Sequence, residues 1–95
     1  MDLRFEWDRR KAAANVAGHG VRFEEAITTF ADPLARIFDD VEHSIEERRE
    51  FIIGHSAEGR LLVMCFVERE NAIRIFSARK ATRREKRDYE ESTKG

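Results

Sequence analysis

Apolar positions along this chain follow two periods, and the change between them divides it. Phe23, Ala26, Ile27 and Phe30 fall at i, i+3, i+4 and i+7, the spacing of one helix face. Ahead of them, Asp8 predicts an N-cap, with Trp7 stapling against Ala12. Ala12, Ala13, Val16 and Ala17 form a small-residue stripe that Gly18 and Gly20 close. Asp32-Pro33 stops the second helix, since proline disfavours helical backbone at the residue before it. Leu3 to Phe5 reads as a short edge strand. After Pro33 the pattern becomes that of strands: a short Leu34–Phe38, then Phe51–Ile53 and Leu61–Val67 around a hairpin loop, His55–Arg60. Leu61–Val67 is apolar on both faces and belongs in the middle of a sheet. Ile73–Phe76 returns as another strand, and the chain leaves the sheet through Ser77–Lys80. Thr82-Arg83-Arg84-Glu85 is a capping box that opens a third helix, Arg83 into Glu91, followed by a tail, Ser92–Gly95. Two N-terminal helices, an antiparallel meander and a C-terminal helix make one α+β domain over residues 1–95. Only the Phe23–Phe30 helix has an apolar stripe wide enough to cover a sheet face.

Charge changes this picture locally rather than globally. Eighteen Lys and Arg oppose nineteen Asp and Glu, which argues against a general nucleic-acid coater. Residues 39–50, expected as loop or frayed turn, carry a net −4, and residues 79–87 a net +5. Such blocks are solvated faces or partner surfaces, and a concentrated basic block also suits phosphates. The lone Cys65, in the most buried-looking strand, reads as inert core in a reducing compartment. The absence of a long apolar run or a signal-peptide pattern predicts a cytoplasmic chain with no membrane span.

The third helix gathers Arg79, Lys80, Arg83 and Arg84 at its N-terminus, where the helix dipole favours anions. That arrangement sacrifices stability and suits an anion site; its plain alternative is a basic solvated face. Arg74 sits inside an apolar strand, with alternation placing Arg74, Phe76 and Ala78 on one face, and Arg69 lies in the turn before it. His19, His43 and His55 are too far apart in sequence to suggest zinc, so neither a metal nor a cofactor is expected. His55, in the hairpin loop, is a candidate for proton transfer or an exposed loop residue, and His43 reads as a surface residue. Trp7 is a staple or a platform for stacking a base. RNA suits such a chain, because its own 2′-hydroxyl is the nucleophile and the protein need only position, move protons and supply cations.

Phe5-Glu6-Trp7-Asp8, Lys11, Asn15, His19-Gly20-Val21, Phe23-Glu24-Glu25-Ala26, Phe30 and Asp32-Pro33 resemble the BrnT-like toxins. So do Glu47-Arg48, Gly54, Gly59-Arg60, Arg69 and the run Ile73–Ala81, in order and spacing over nearly the whole chain. The resemblance implies a RelE-like fold and a bacterial, cytoplasmic endoribonuclease, metal-independent, that blocks translation. It also implies a BrnA-type antitoxin whose ribbon–helix–helix part dimerises and binds promoter DNA, giving a hetero-oligomer that meets DNA only through the antitoxin. On this reading Arg69, Arg79 and Lys80 meet the phosphate and transition-state charge, and His55 moves the proton. Arg74, Arg83 and Arg84 track the RNA backbone, and Trp7 stacks a base. Arg22 stands where such toxins often have Ser, and Phe76 where Ile is common. The rivals are a nucleic-acid-binding module without catalysis and a protein-interaction module docking through 39–50.

Overall fold

A computed structural model of the chain describes residues 4–43 and 45–94. The chain runs β1 (Phe5–Glu6), α1 (Arg9–His19), α2 (Phe23–Ala26) with a 3₁₀ turn Ile27–Ala31, β2 (Arg36–Asp39), and a 3₁₀ turn Val41–His43. It continues through β3 (Arg49–His55), β4 (Leu61–Arg69), β5 (Ala72–Lys80) and α3 (Arg83–Thr93). The five strands form one sheet in the order β1-β5-β4-β3-β2. β2 to β5 are the expected antiparallel meander, but β1 pairs parallel to β5, so the sheet is mixed. Leu3 of the expected first strand and Gly95 of the expected tail lie outside the described residues.

Both faces of the sheet are covered, by different helices. On one face Phe23 and Ala26 of α2 join Val21, Ile52, Leu62, Met64, Phe66, Ile73, Ile75 and Ala78 in the main core. On the other, Tyr89 of α3 packs on Ile53 and Val63. The α2 helix is shorter than its apolar spacing predicts and tightens at Ile27. Thr28 and Thr29 explain this: their hydroxyls donate to the Glu25 and Ala26 carbonyls, at 2.6 and 2.7 Å, competing with the backbone ladder.

α1 is capped as predicted at its start, Asp8 accepting from the Arg10 and Lys11 amides. It ends at Gly20, in the left-handed region with φ 67°, while Gly18 lies within the helix. Its buried side is not the alanine stripe. Ala13, Val16 and Ala17 are exposed, and Asn15 is its buried residue, because α1 lies along the edge of β5 instead of over the sheet. Trp7 meets Phe23 edge-on, ring centroids 5.8 Å apart, anchoring the start of the helix to the core.

β5 departs from expectation twice. It runs on to Lys80, so Ser77–Lys80 stays in the sheet, Lys80 opposite Leu62 and Arg79 opposite Val63. Its register also shifts: Cys65 faces Ser77 while Phe66 faces Ile75, leaving Phe76 as the extra residue of a bulge. Ala78 therefore joins Ile73 and Ile75 in the main core, not the face of Arg74 and Phe76. At Gly54 a Cβ would come 2.9 Å from the Ala35 Cβ, so glycine admits the 3₁₀–β2 connection close against β3.

Candidate active site

β5 and its neighbours carry most of the expected site residues, and the sheet separates them into two groups. The register places His55 opposite Leu61, Lys80 opposite Leu62 and Arg79 opposite Val63, all at one end. Arg69 lies at the other end, opposite Ala72. Seven residues of extended chain separate Ala72 from Arg79, roughly 23 Å. Arg69 and Arg79 do not converge on one phosphate.

Both arginines are also engaged. Arg69 grips Glu47 with two hydrogen bonds, at 3.0 and 2.9 Å, and lies 3.7 Å from Glu6, which is also 3.9 Å from Arg74. Arg79 forms a two-pronged pair with Glu85, at 2.7 and 2.9 Å. Glu85 simultaneously accepts from the Thr82 amide, completing the capping box of α3. Arg79 holds the Glu85 carboxyl down to about 2, so this pair clasps α3 to the end of β5. Lys80, Arg83 and Arg84 are exposed, without an ion pair among the described residues. The half-buried Trp7 spends its ring edge on Phe23.

His55 belongs to a clasp of its own. Asp32 Oδ2 accepts from the His55 amide at 2.7 Å and from the Tyr89 hydroxyl at 2.8 Å, and Oδ1 from the Leu34 amide. Burial pushes the Asp32 carboxyl up, but these donors outweigh it and hold the group below its ordinary value. Burial beside Asp32 pushes the Tyr89 phenol up to about 12. The His55 ring lies edge-on to Tyr89, its Nδ1 3.3 Å from the hydroxyl oxygen and 3.6 Å from Asp32. These groups line a cavity of about 460 Å³ to which, among the described residues, Lys86 brings the one Lys or Arg charge.

A different constellation lies on the α3 face of the sheet, across β3, β4 and β5. A cleft of about 280 Å³ is lined by Lys11, Asp40, His43, Arg49, Phe51, Cys65, Phe76 and Ser77. The bulge presents the Phe76 ring here, and two cations lie over it, Lys11 Nζ at 4.9 Å and the Arg49 guanidinium at 4.4 Å from the centroid. The ring's negative face attracts both and so lets like charges gather. Beside them His43 Nδ1 stands 2.9 and 3.1 Å from the two oxygens of the buried Asp40. Asp40 fixes the imidazole with Nδ1 as donor and leaves Nε2 available for proton transfer. Cys65 contributes no reactive thiol, since burial and then Asp40 push its pKa up.

This cleft is not legible in the sequence. Its one local signal is Asp40-x-x-His43, a turn apart within the acidic stretch 39–50, where a histidine reads as surface. Lys11, Phe76 and Ser77 are invisible as a group because α1, the bulge and β3 bring them together over long separations. Among the described residues no three His, Cys, Asp or Glu side chains cluster as metal ligands, and no helix is long and apolar enough to cross a membrane.

No curated protein matches the chain. Among solved structures it is similar to the ribonuclease toxin BrnT of Brucella abortus, known from a 1.1 Å crystal structure. The TM-score is 0.66 at 21% identity, covering 86% of this chain and 100% of that one, a likeness of fold. The family model for the ribonuclease toxin BrnT of type II toxin–antitoxin systems matches residues 7–85, most of the chain. By that match the chain belongs to the BrnT family of ribonuclease toxins of type II toxin–antitoxin systems.

Proposed function

We propose that this protein is an endoribonuclease with a RelE-like fold that cleaves RNA in the Phe76 cleft, arresting translation in the bacterial cytoplasm. A BrnA-type antitoxin holds it inactive in a hetero-oligomer and is its only route to promoter DNA. The observation that carries the catalytic reading is one cleft uniting the Asp40–His43 pair with Lys11 and Arg49 over Phe76. His43 Nε2 takes the proton from the RNA 2′-hydroxyl as that oxygen attacks the adjacent phosphorus. The P–O5′ bond then breaks, leaving a 2′,3′-cyclic phosphate and a 5′-oxygen that takes its proton from water. Lys11 and Arg49 meet the negative charge that grows on the phosphorane oxygens, where fixed cations act most strongly. The reaction needs no metal, because the nucleophile is supplied by the substrate. Lys80 at the end of β5 and Arg83 and Arg84 at the start of α3 continue the positive surface along the RNA, while Arg79, through Glu85, positions the helix that carries Arg83 and Arg84. Arg69 and Arg74, on Glu6 and Glu47, border the far end of the same face.

A second reading puts the proton transfer at His55, favoured by its place beside Tyr89 and Asp32 in a cavity. Purified variants on single-stranded RNA separate the two. His43→Ala should lower the cleavage rate by about 10²–10⁴ with the thermal midpoint unchanged, and His55→Ala should retain most of it. Full activity in His43→Ala with loss in His55→Ala moves the centre to the Asp32 cavity. Full activity in both removes His43 and His55 from the mechanism.

A further inference from the structure

The Phe76 cleft adjoins a second space on the same face of the sheet. Phe51, on the wall of the cleft, stands opposite Phe38 of β2, and the two ring centroids are 5.5 Å apart. Phe38 is 47% exposed and also lines a cavity of about 300 Å³ between β2 and α3. Ile53 and Tyr89 give that cavity apolar walls, and Arg36, Glu85, Asp88 and Ser92 give it polar ones. Its volume is at the small end of pockets that hold organic ligands.

The polar groups around this cavity are unequally engaged. Glu85 is spent, since Arg79 takes both of its oxygens and the Thr82 amide donates to one of them. The Asp88 carboxylate has no hydrogen bond or ion pair among the described residues, and neither has the Arg36 guanidinium. Ser92 gives its proton to the Tyr89 carbonyl at 2.9 Å, which leaves its oxygen as an acceptor. The cavity therefore offers acceptors from one flank of α3, Asp88 and Ser92 being a turn apart, and a donor from β2.

We infer that this cavity is a guanine-selective subsite for a nucleotide flanking the scissile phosphate, an inference that rests on the ribonuclease reading of the adjoining cleft. An unstacked base of single-stranded RNA is recognised by an aromatic face and by hydrogen bonds along its Watson–Crick edge. Phe38 supplies the face. Guanine alone among the RNA bases carries two neighbouring donors on that edge, N1–H and N2–H, which the two oxygens of a carboxylate accept together. Its O6, next to N1, is an acceptor that suits a guanidinium. Asp88 and Arg36 are the complement of that edge. Adenine and cytosine set a bare ring nitrogen beside a single amino donor, and uracil sets its N–H between two carbonyls, so each turns a lone pair on the Asp88 carboxylate.

Fluorescence anisotropy with 2′-deoxy pentamers, which lack the attacking hydroxyl and are not cleaved, tests this on the purified chain. A deoxyadenosine strand with one central guanine should bind about tenfold tighter than the all-adenine strand. It should also bind about tenfold tighter than the same strand with central hypoxanthine, which is guanine without its N2 amino group. Asp88→Asn should bring the guanine and hypoxanthine strands to equal affinity with the thermal midpoint unchanged, since its amide presents one acceptor where two donors arrive. Phe38→Ala should weaken all three strands by about tenfold and keep their ratios. Equal wild-type affinity for the three strands overturns the proposal, as does a guanine preference that survives Asp88→Asn. Mapping the ends left in mixed-sequence RNA separates this from the ribonuclease reading. Cuts beside guanine support the subsite, and cuts indifferent to sequence overturn it. A guanine preference in binding with no cut anywhere supports guanine recognition here and overturns the ribonuclease reading alone.

Discussion

Asn15 and Ala78 are joined by reciprocal hydrogen bonds, the Ala78 amide donating to Asn15 Oδ1 at 3.0 Å and Asn15 Nδ2 donating to the Ala78 carbonyl at 2.7 Å. The side-chain amide thus replaces one residue of a neighbouring strand, and the same Nδ2 also reaches the Val21 carbonyl at 2.9 Å. One buried side chain satisfies three backbone groups and docks α1 on β5. Asn15→Ala should cost about 2–4 kcal/mol, since it strands buried backbone groups, measured by urea unfolding. Asn15→Asp should be nearly as damaging, because its carboxylate faces two carbonyls. Lys11 precedes Asn15 by one turn on α1, so the alanine variant should also lose cleavage activity beyond its loss of folded protein. Stability within about 0.5 kcal/mol of wild type would show that the helix docks without this residue.

What could be read from the sequence was what local chemistry decides. Asp8 and the Thr82–Glu85 box mark their helix starts through contacts within three residues, and Leu61–Val67 declares its central place by being apolar throughout. The misreadings share a different cause. Ala12, Ala13, Val16 and Ala17 have helical spacing, yet α1 runs beside a strand edge, where a polar Asn is worth more than an apolar stripe. The Phe76 bulge depends on pairing with β4, and a run such as Ile73–Ala78 offers no local sign of where alternation breaks. The parallel pairing of β1 joins Phe5 to Ile73, a relation no window of neighbouring residues contains. The cleft inherits all three uncertainties, since its walls come from α1, the bulge and β3 together.

Acid should unfold the protein through Glu25. Its carboxylate accepts from Ser56 at 2.7 Å and from Arg60 Nε at 2.8 Å, and a second Arg60 nitrogen bonds its other oxygen. Arg60 foremost, with Ser56, holds its pKa down from 4.5 to about 2. A pKa lowered by folding adds stability that is complete above the unfolded value and disappears as pH falls through the folded one. Stability should therefore drop between about pH 5 and pH 2 by roughly 3 kcal/mol for this group. Glu25→Gln should remove most of that slope and lower stability at neutral pH. An unchanged pH slope in the glutamine variant would assign the acid sensitivity elsewhere.

Arg79 and Lys80 should separate as neighbours with different work. Arg79 is clasped to Glu85, whereas Lys80 has no ion pair among the described residues. Both members of the Arg79–Glu85 pair are partly exposed, so Arg79→Ala should cost only about 1 kcal/mol, with fraying at the start of α3. Lys80→Ala should leave stability unchanged and weaken RNA binding alone. Equal thermal midpoints for the two variants would show that the Glu85 clasp contributes nothing to holding α3.

The salt dependence of RNA binding should report which cations are available. Arg69 and Arg79 already face carboxylates, while Lys80, Arg83 and Arg84 do not, and Lys11 has only the Phe76 ring. Arg79 follows Ser77 of the cleft by two residues, so the basic start of α3 begins about 7 Å further along the strand. A single strand can leave the cleft and run directly onto it. With about four to six phosphates neutralised, the logarithm of affinity should fall against the logarithm of salt with slope roughly −3 to −4. Arg83→Ala/Arg84→Ala should flatten that slope by about 1 to 1.5, and Lys11→Ala by about 0.7. Arg69→Ala should change it little, because Glu47 has already released the counterions that a phosphate would displace. A full unit of flattening from Arg69→Ala, with none from the α3 pair, would route the RNA toward the Glu47 end of the sheet instead.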